Sequence, residues 1–121
     1  MLKENIAYTD YNGLERKEDF YFNLTKAELL KMEMGTTGGL AEKIKKIVEA
    51  QDYPAIYNIF EDLVLTAYGI KSDDGKRFIK SKEISEAFSQ TEAFSELIMK
   101  LATDADYATK FVKGIIPEMN N

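Results

Sequence analysis

The hydrophobic period of this chain changes once, at about Leu24, and that change constrains the fold more than any other feature. Before it, NIAYTDYNGLERKEDFYF alternates and is rich in Tyr and Phe, with Asn12-Gly13 between its halves, which is a hairpin signal. After it, apolar residues recur at helical spacing to the end of the chain. The pattern predicts a mainly α fold: a small single domain of five or six short helices with an N-terminal β-hairpin. With 121 residues, seven Phe and seven Tyr, the chain can build one modest core.

Strands are expected near Asn5 to Tyr11 and Glu15 to Phe22. A two-residue Asn-Gly turn would put Asp10 opposite Glu15. A three-residue loop with Gly13 left-handed puts Asp10 opposite Arg16 and Ile6 opposite Phe20, and is the expectation here. An isolated hairpin is marginal in water, so it must lie on the helices or add strands from another copy or partner.

Thr25-Lys26-Ala27-Glu28 reads as a capping box opening a helix to about Met34. Gly35-Thr36-Thr37-Gly38-Gly39 breaks it, with Gly35, Gly38 and Gly39 as a candidate hinge. A second helix, about Leu40 to Ala50, carries Leu40, Ile44, Ile47 and Val48 on one face. Asp52 caps a third with Pro54 in its first turn and Gly69 as a left-handed terminator. Its wide apolar face, including Ile56, Phe60, Leu63, Val64 and Ala67, makes it the central core helix.

KSDDGKRFIKS is a polar connector with a turn at Asp74-Gly75 and an anchor or very short strand at Phe78-Ile79. A short helix follows from about Lys82 to Phe88. Ser89-Gln90-Thr91-Glu92 reads as a second capping box, starting the helix that bears Phe94, Leu97, Ile98 and Leu101. Asp104 caps a last helix with Ala108, Phe111, Val112 and Ile115, stopped by Gly114 and Pro117. The chain thus divides into a hairpin (1–23), N-terminal helices (24–70), the connector (71–81) and C-terminal helices (82–117).

With no Cys there is no disulfide framework or thiolate chemistry, and with no His the commonest general base and metal ligand is missing. A net charge of −5 opposes nucleic acid, and no apolar run reaches membrane-spanning length or forms a secretory leader. Placing Gly75 at the glycine of a calcium loop puts Ile70 and Ser81 where carboxylates are required, so Asp73-Asp74-Gly75 is a turn. The glycines before Leu40 lack the lysine and spacing of a phosphate loop. Glu18/Asp19 and Glu61/Asp62 are adjacent pairs whose side chains diverge, which is surface charge and not an acid–base pair. No cofactor, metal site or catalytic residue is expected.

Met32, Met34, Met99 and Met119 beside Phe88 and Phe94 can line an adaptable docking surface. Phe88, Phe94, Leu97, Ile98, Met99 and Leu101 are the candidate partner-binding residues. Several short helices in a small domain seldom bury every apolar stripe internally. The hairpin can also extend a sheet in a neighbouring subunit, as in a structural protein.

YTDYNG (8–13), EDFYFNLTKAEL (18–29), GGL (38–40), AYGIKSDDGKRFIKS (67–81), FSQTEAFSEL (88–97) and GIIP (114–117), in this order, resemble the small tail assembly chaperones of long-tailed bacteriophages and of prophages in Gram-positive bacteria. The resemblance implies a non-catalytic protein of the host cytoplasm that binds the phage tape measure protein, helps the tail tube protein polymerise around it, and is absent from the mature virion. It also implies a possible homo-oligomer, and the second reading under it is a small structural tail or connector protein retained in the virion. Such families often make a longer product by ribosomal frameshifting, and this chain ends at Pro-Glu-Met-Asn-Asn as the short product would.

Overall fold

The computed structural model describes residues 1–34 and 40–117, so the expected hinge at Gly35, Gly38 and Gly39 lies outside the described residues, as does Met119. In chain order the elements are β1 (Leu2–Thr9), β2 (Glu15–Phe22), α1 (Lys26–Met34), α2 (Leu40–Glu49), α3 (Tyr53–Ala67), β3 (Tyr68–Lys71), β4 (Phe78–Ile79), α4 (Lys82–Ser89), α5 (Glu92–Thr103) and α6 (Ala105–Ile115). The helices dominate, and beside them stands a four-stranded antiparallel sheet ordered β1-β2-β3-β4. Expecting only a hairpin understated the sheet.

The register of that hairpin corrects the sequence expectation. The expected three-residue loop is present, with Gly13 left-handed (φ +83°), but a loop of Tyr11, Asn12 and Gly13 puts Asp10 opposite Leu14, so the strands pair Tyr8 with Arg16 and Ile6 with Glu18. The reason lies in Asp10, whose backbone exchanges bonds at the loop base: its N–H donates to Leu14 O and its carbonyl accepts from Gly13 N, both at 2.9 Å. Asp10 Oδ1 also accepts from Asn12 N (2.9 Å) and Leu14 N (3.0 Å), while Oδ2 takes Arg16 Nε at 2.5 Å. The Asp10–Arg16 attraction is real, but it is made from the turn and not across the ladder. A two-residue offset leaves the faces unchanged, because strand side chains alternate with period two. Hence Ile6 and Phe22 still point into the core.

At the far end of the hairpin, the chain is tied to two other elements: Asn23 N donates to Ala67 O (2.8 Å) and Leu24 N to Ile115 O (3.0 Å). The expected capping box opens α1, with Thr25 N donating to Glu28 Oε1 (2.9 Å) and Glu28 N to Thr25 Oγ1 (3.1 Å). Lys80 Nζ then donates to both Glu28 oxygens (2.9 and 2.8 Å) and to Asn23 O (2.7 Å), clamping α1 to the segment after β4.

α3 is the central helix, capped by Asp52 and burying Ile56, Phe60, Leu63, Val64 and Ala67. Gly69 does not end it in the left-handed conformation expected. Instead Tyr68 turns directly into extended backbone (φ −67°, ψ 139°), so helix passes into strand without a loop. Gly69 is needed for space: a Cβ there would meet the Phe78 ring at 2.7 Å. The stretch read as a connector forms the β3–β4 hairpin, where Asp74 Oδ1 accepts from Ser72 Oγ (2.7 Å) and Lys76 N (3.0 Å). Asp74 thus serves the turn.

Two other local expectations change. Thr91, and not Ser89, caps α5, accepting from Phe94 N at 3.1 Å, while the Ser89 hydroxyl donates back to Glu86 O. Helix α6 runs through Gly114 to Ile115 and stops before Pro117. Gly114 admits the Leu2 side chain, which would lie 2.8 Å from a Cβ.

An aromatic group joins the sheet to the C-terminal helices. Tyr68 stacks on Phe88 (4.2 Å between centroids), Phe22 meets Phe88 and Phe111 edge-on (5.8 and 5.3 Å), and Phe88 meets Phe94 (5.7 Å). Among the described residues no polar or charged side chain is fully buried.

Candidate functional site

Five of the six residues expected to meet a partner lie inside this core: Phe88, Phe94, Leu97, Ile98 and Leu101 are each at most 7 % exposed. Phe94, Leu97, Ile98 and Leu101 seat α5 against α3, α6 and the sheet, and Phe88, on α4, packs against Phe94, Phe22 and Tyr68. Met99 is on the opposite side of α5, 60 % exposed. Helical spacing identified the apolar stripe, but could not say which neighbour covers it.

An apolar depression lies elsewhere. Helix α2, with Ile44 and Val48, and α6, with Ala105, Ala108 and Val112, line a groove of about 470 Å³, whose floor residues Ile44, Ala108 and Val112 are themselves buried while Val48 is half-buried and Ala105 exposed. The small side chains of Ala105 and Ala108 keep its α6 side low. Glu42, Lys45 and Glu49 rim it from α2, and Thr109 and Lys113 from α6. Val48 and Ala105 also line a smaller depression of about 140 Å³ with Leu101, Ala102 and Tyr53, the last 62 % exposed. The C-terminal end of α2 therefore meets the N-terminal end of α6, and the trough continues past them. An apolar floor between charged rims is the form of a groove that receives an amphipathic helix.

The other depressions are polar or shallow at their mouths. One beside Lys80 is lined by Asp62, Thr66, Ser81 and Ser85. Another follows β1 past Glu4, Asn5, Glu96 and Met99. The adjacent carboxylates have local structural partners: Glu18 accepts the Tyr8 hydroxyl, Asp19 accepts from Asn5 Nδ2 (2.9 Å), and Glu61 accepts from the Tyr57 hydroxyl (2.7 Å). Glu18 and Glu61 in turn raise the phenol pKa values of Tyr8 and Tyr57. Burial, followed by the carboxylate of Glu4, raises that of Tyr107. These phenols stay neutral; the Tyr8 bond joins β1 to β2, and the Tyr57 bond lies within α3.

A family model described as phage tail assembly chaperone matches residues 1–120. The chain belongs to the phage tail assembly chaperone family. No curated protein and no solved structure matches it. For a tail assembly chaperone the relevant chemistry is contact with protein partners in tail assembly, and the α2–α6 groove is one apolar depression on this chaperone. Among the described residues no helix is long and apolar enough to cross a membrane.

Sequence reasoning placed Ile44, Val48, Ala108 and Val112 on apolar faces; Ile44, Ala108 and Val112 are buried and Val48 is half-buried. The signal for a depression beside them is Ala at 105 and 108, small side chains that leave a trough where larger ones would close it.

Proposed function

We propose that this chaperone, folded as a single domain in the host cytoplasm, holds a helical segment of the phage tape measure protein in the α2–α6 groove. It thereby keeps that long protein from aggregating while the tail tube protein polymerises around it, and leaves before the virion is complete. The observation that carries this reading is an open apolar groove with charged rims in a member of the tail assembly chaperone family. Binding of this kind is reversible at each contact, and several copies along one helix, free or as a homo-oligomer, supply avidity. Met99 offers a second apolar contact on α5, and the buried Phe88, Phe94, Leu97, Ile98 and Leu101 act by seating that helix. The role needs no cofactor or catalytic residue.

Co-expression with the tape measure protein tests it. A soluble complex that co-elutes is expected; a tape measure protein that stays equally insoluble, with no complex, removes the reading. One observation favours a structural role instead: β1 is at the edge of the sheet, available to extend it into a neighbour. Mass spectrometry of purified virions separates the two, since a retained structural protein is recovered in stoichiometric amount and a chaperone is not.

A further inference from the structure

The walls of the groove restrict what can occupy it. Both are helices, whose backbone N–H and C=O groups are bonded within the helix, so they offer no ladder to an extended strand. An occupant must satisfy its own backbone, which in an apolar trough means an α-helix. From Ala105 to Val112 the α6 side spans roughly 10 Å, about two helical turns, and the depression beside Tyr53 prolongs it. That length suits apolar anchors spaced i, i+4, i+7 on one face.

Charge is unequal along the groove. At the end where Val48 meets Ala105, Glu49 forms the rim, and Asp104 and Asp106, the exposed chain neighbours of Ala105, stand beside the groove and not in its lining. Asp104 Oδ1 accepts from Tyr107 N at 3.0 Å, which caps α6 without neutralising the carboxylate. Further along stand Lys45, and then Glu42 with Lys113, so the opposite end is mixed in sign. Opposed helix termini meet at the acidic end, and their partial charges offset one another.

We infer that the groove selects one amphipathic α-helix carrying Lys or Arg at the end that lies over Glu49, Asp104 and Asp106. This rests on the reading of the groove as the partner site, and it adds the conformation and charge polarity of what binds there. Electrostatic pairing at an exposed rim sets preference and orientation, whereas the apolar floor supplies most of the contact.

The test uses the full chain and two fluorescent, hydrocarbon-stapled helical peptides with identical Leu anchors, one with Lys and one with Glu at one end. In anisotropy titrations at low salt the Lys peptide binds about tenfold more tightly, and the ratio shrinks as salt is added. Glu49→Lys with Asp106→Lys inverts the preference. Thr109→Trp, an exposed rim position, abolishes binding of both peptides while leaving the circular dichroism spectrum and Tm unchanged. Equal affinity for the two peptides, or a preference untouched by the reversal, overturns the polarity; undiminished binding by Thr109→Trp overturns the site. Repeating the tape measure co-expression with these variants separates this inference from the reading beneath it. If the variants solubilise the tape measure protein as well as the parent does, the groove is wrong and the chaperone reading stands. If the parent fails to solubilise it while the peptide preference holds, the converse is true.

Discussion

Lys80 shows how much one side chain on the segment after β4 can hold. Its ammonium joins Asn23 O and both oxygens of Glu28 across more than fifty residues of sequence. Burial opposes ionisation of Glu28, but the Lys80 ammonium and the Thr25 N–H outweigh it and hold the carboxyl below its usual value of 4.5. A depressed carboxyl stabilises the fold above its unfolded pKa, and that contribution is lost as pH falls through the folded value. Lys80→Met therefore destabilises by about 1–3 kcal/mol at pH 7, measured by urea unfolding, because a part-buried carboxylate is left without its partner. The gap between variant and parent narrows as pH falls below about 4.5, where the unfolded chain begins to bind the Glu28 proton, and closes as pH passes through the lower folded value. Gly69→Ala drives a methyl into the Phe78 ring and costs about 1–3 kcal/mol. Phe78→Leu in the same chain recovers part of that loss, giving a non-zero coupling in a double-mutant cycle. Neither contact was legible in the sequence, since Lys80 is one of many lysines and Gly69 looked like a helix terminator.

At the scale of elements, local chemistry was readable wherever a helix end is governed by residues within four positions of it. Thr25, Asp52 and Asp104 cap as their spacing says. The start of α5 misleads because Ser89 and Thr91 both precede a glutamate, and the preceding helix α4 continues through Ser89. Thr91→Ala accordingly lowers stability by about 1 kcal/mol, whereas Ser89→Ala changes it by no more than about 0.5 kcal/mol in the same thermal denaturation assay. The hairpin is instructive in another way: its existence, its left-handed Gly13 and its inward faces follow from pattern, and its register follows from the three-residue loop closed by Asp10 and Leu14, with the Asp10 carboxylate bonding the turn and Arg16.

For the whole molecule, the central point is which apolar stripe remains open. The stripe of α5 is covered by α3, α6 and the sheet, while α2 and α6 meet over small residues and leave the groove between them. A ligand that binds only the folded chain stabilises it in proportion to its occupancy. The Lys-flanked helical peptide at about a hundred times its Kd should add about 2.7 kcal/mol to unfolding free energy, seen as a raised Tm, and should add nothing to Thr109→Trp.

The sequence by itself determined the class of the fold, the helix order, most caps and the exclusion of thiolate and imidazole chemistry, because periodicity, capping and composition are properties of neighbouring residues. Only the tertiary structure decided that β3 and β4 complete a sheet, that Phe88, Phe94, Leu97, Ile98 and Leu101 face inward onto other elements, and that α2 and α6 line a groove at Ile44, Val48, Ala105 and Val112. An apolar face records only that it must be covered. What covers it depends on residues far away in the chain, whose meeting no local pattern encodes.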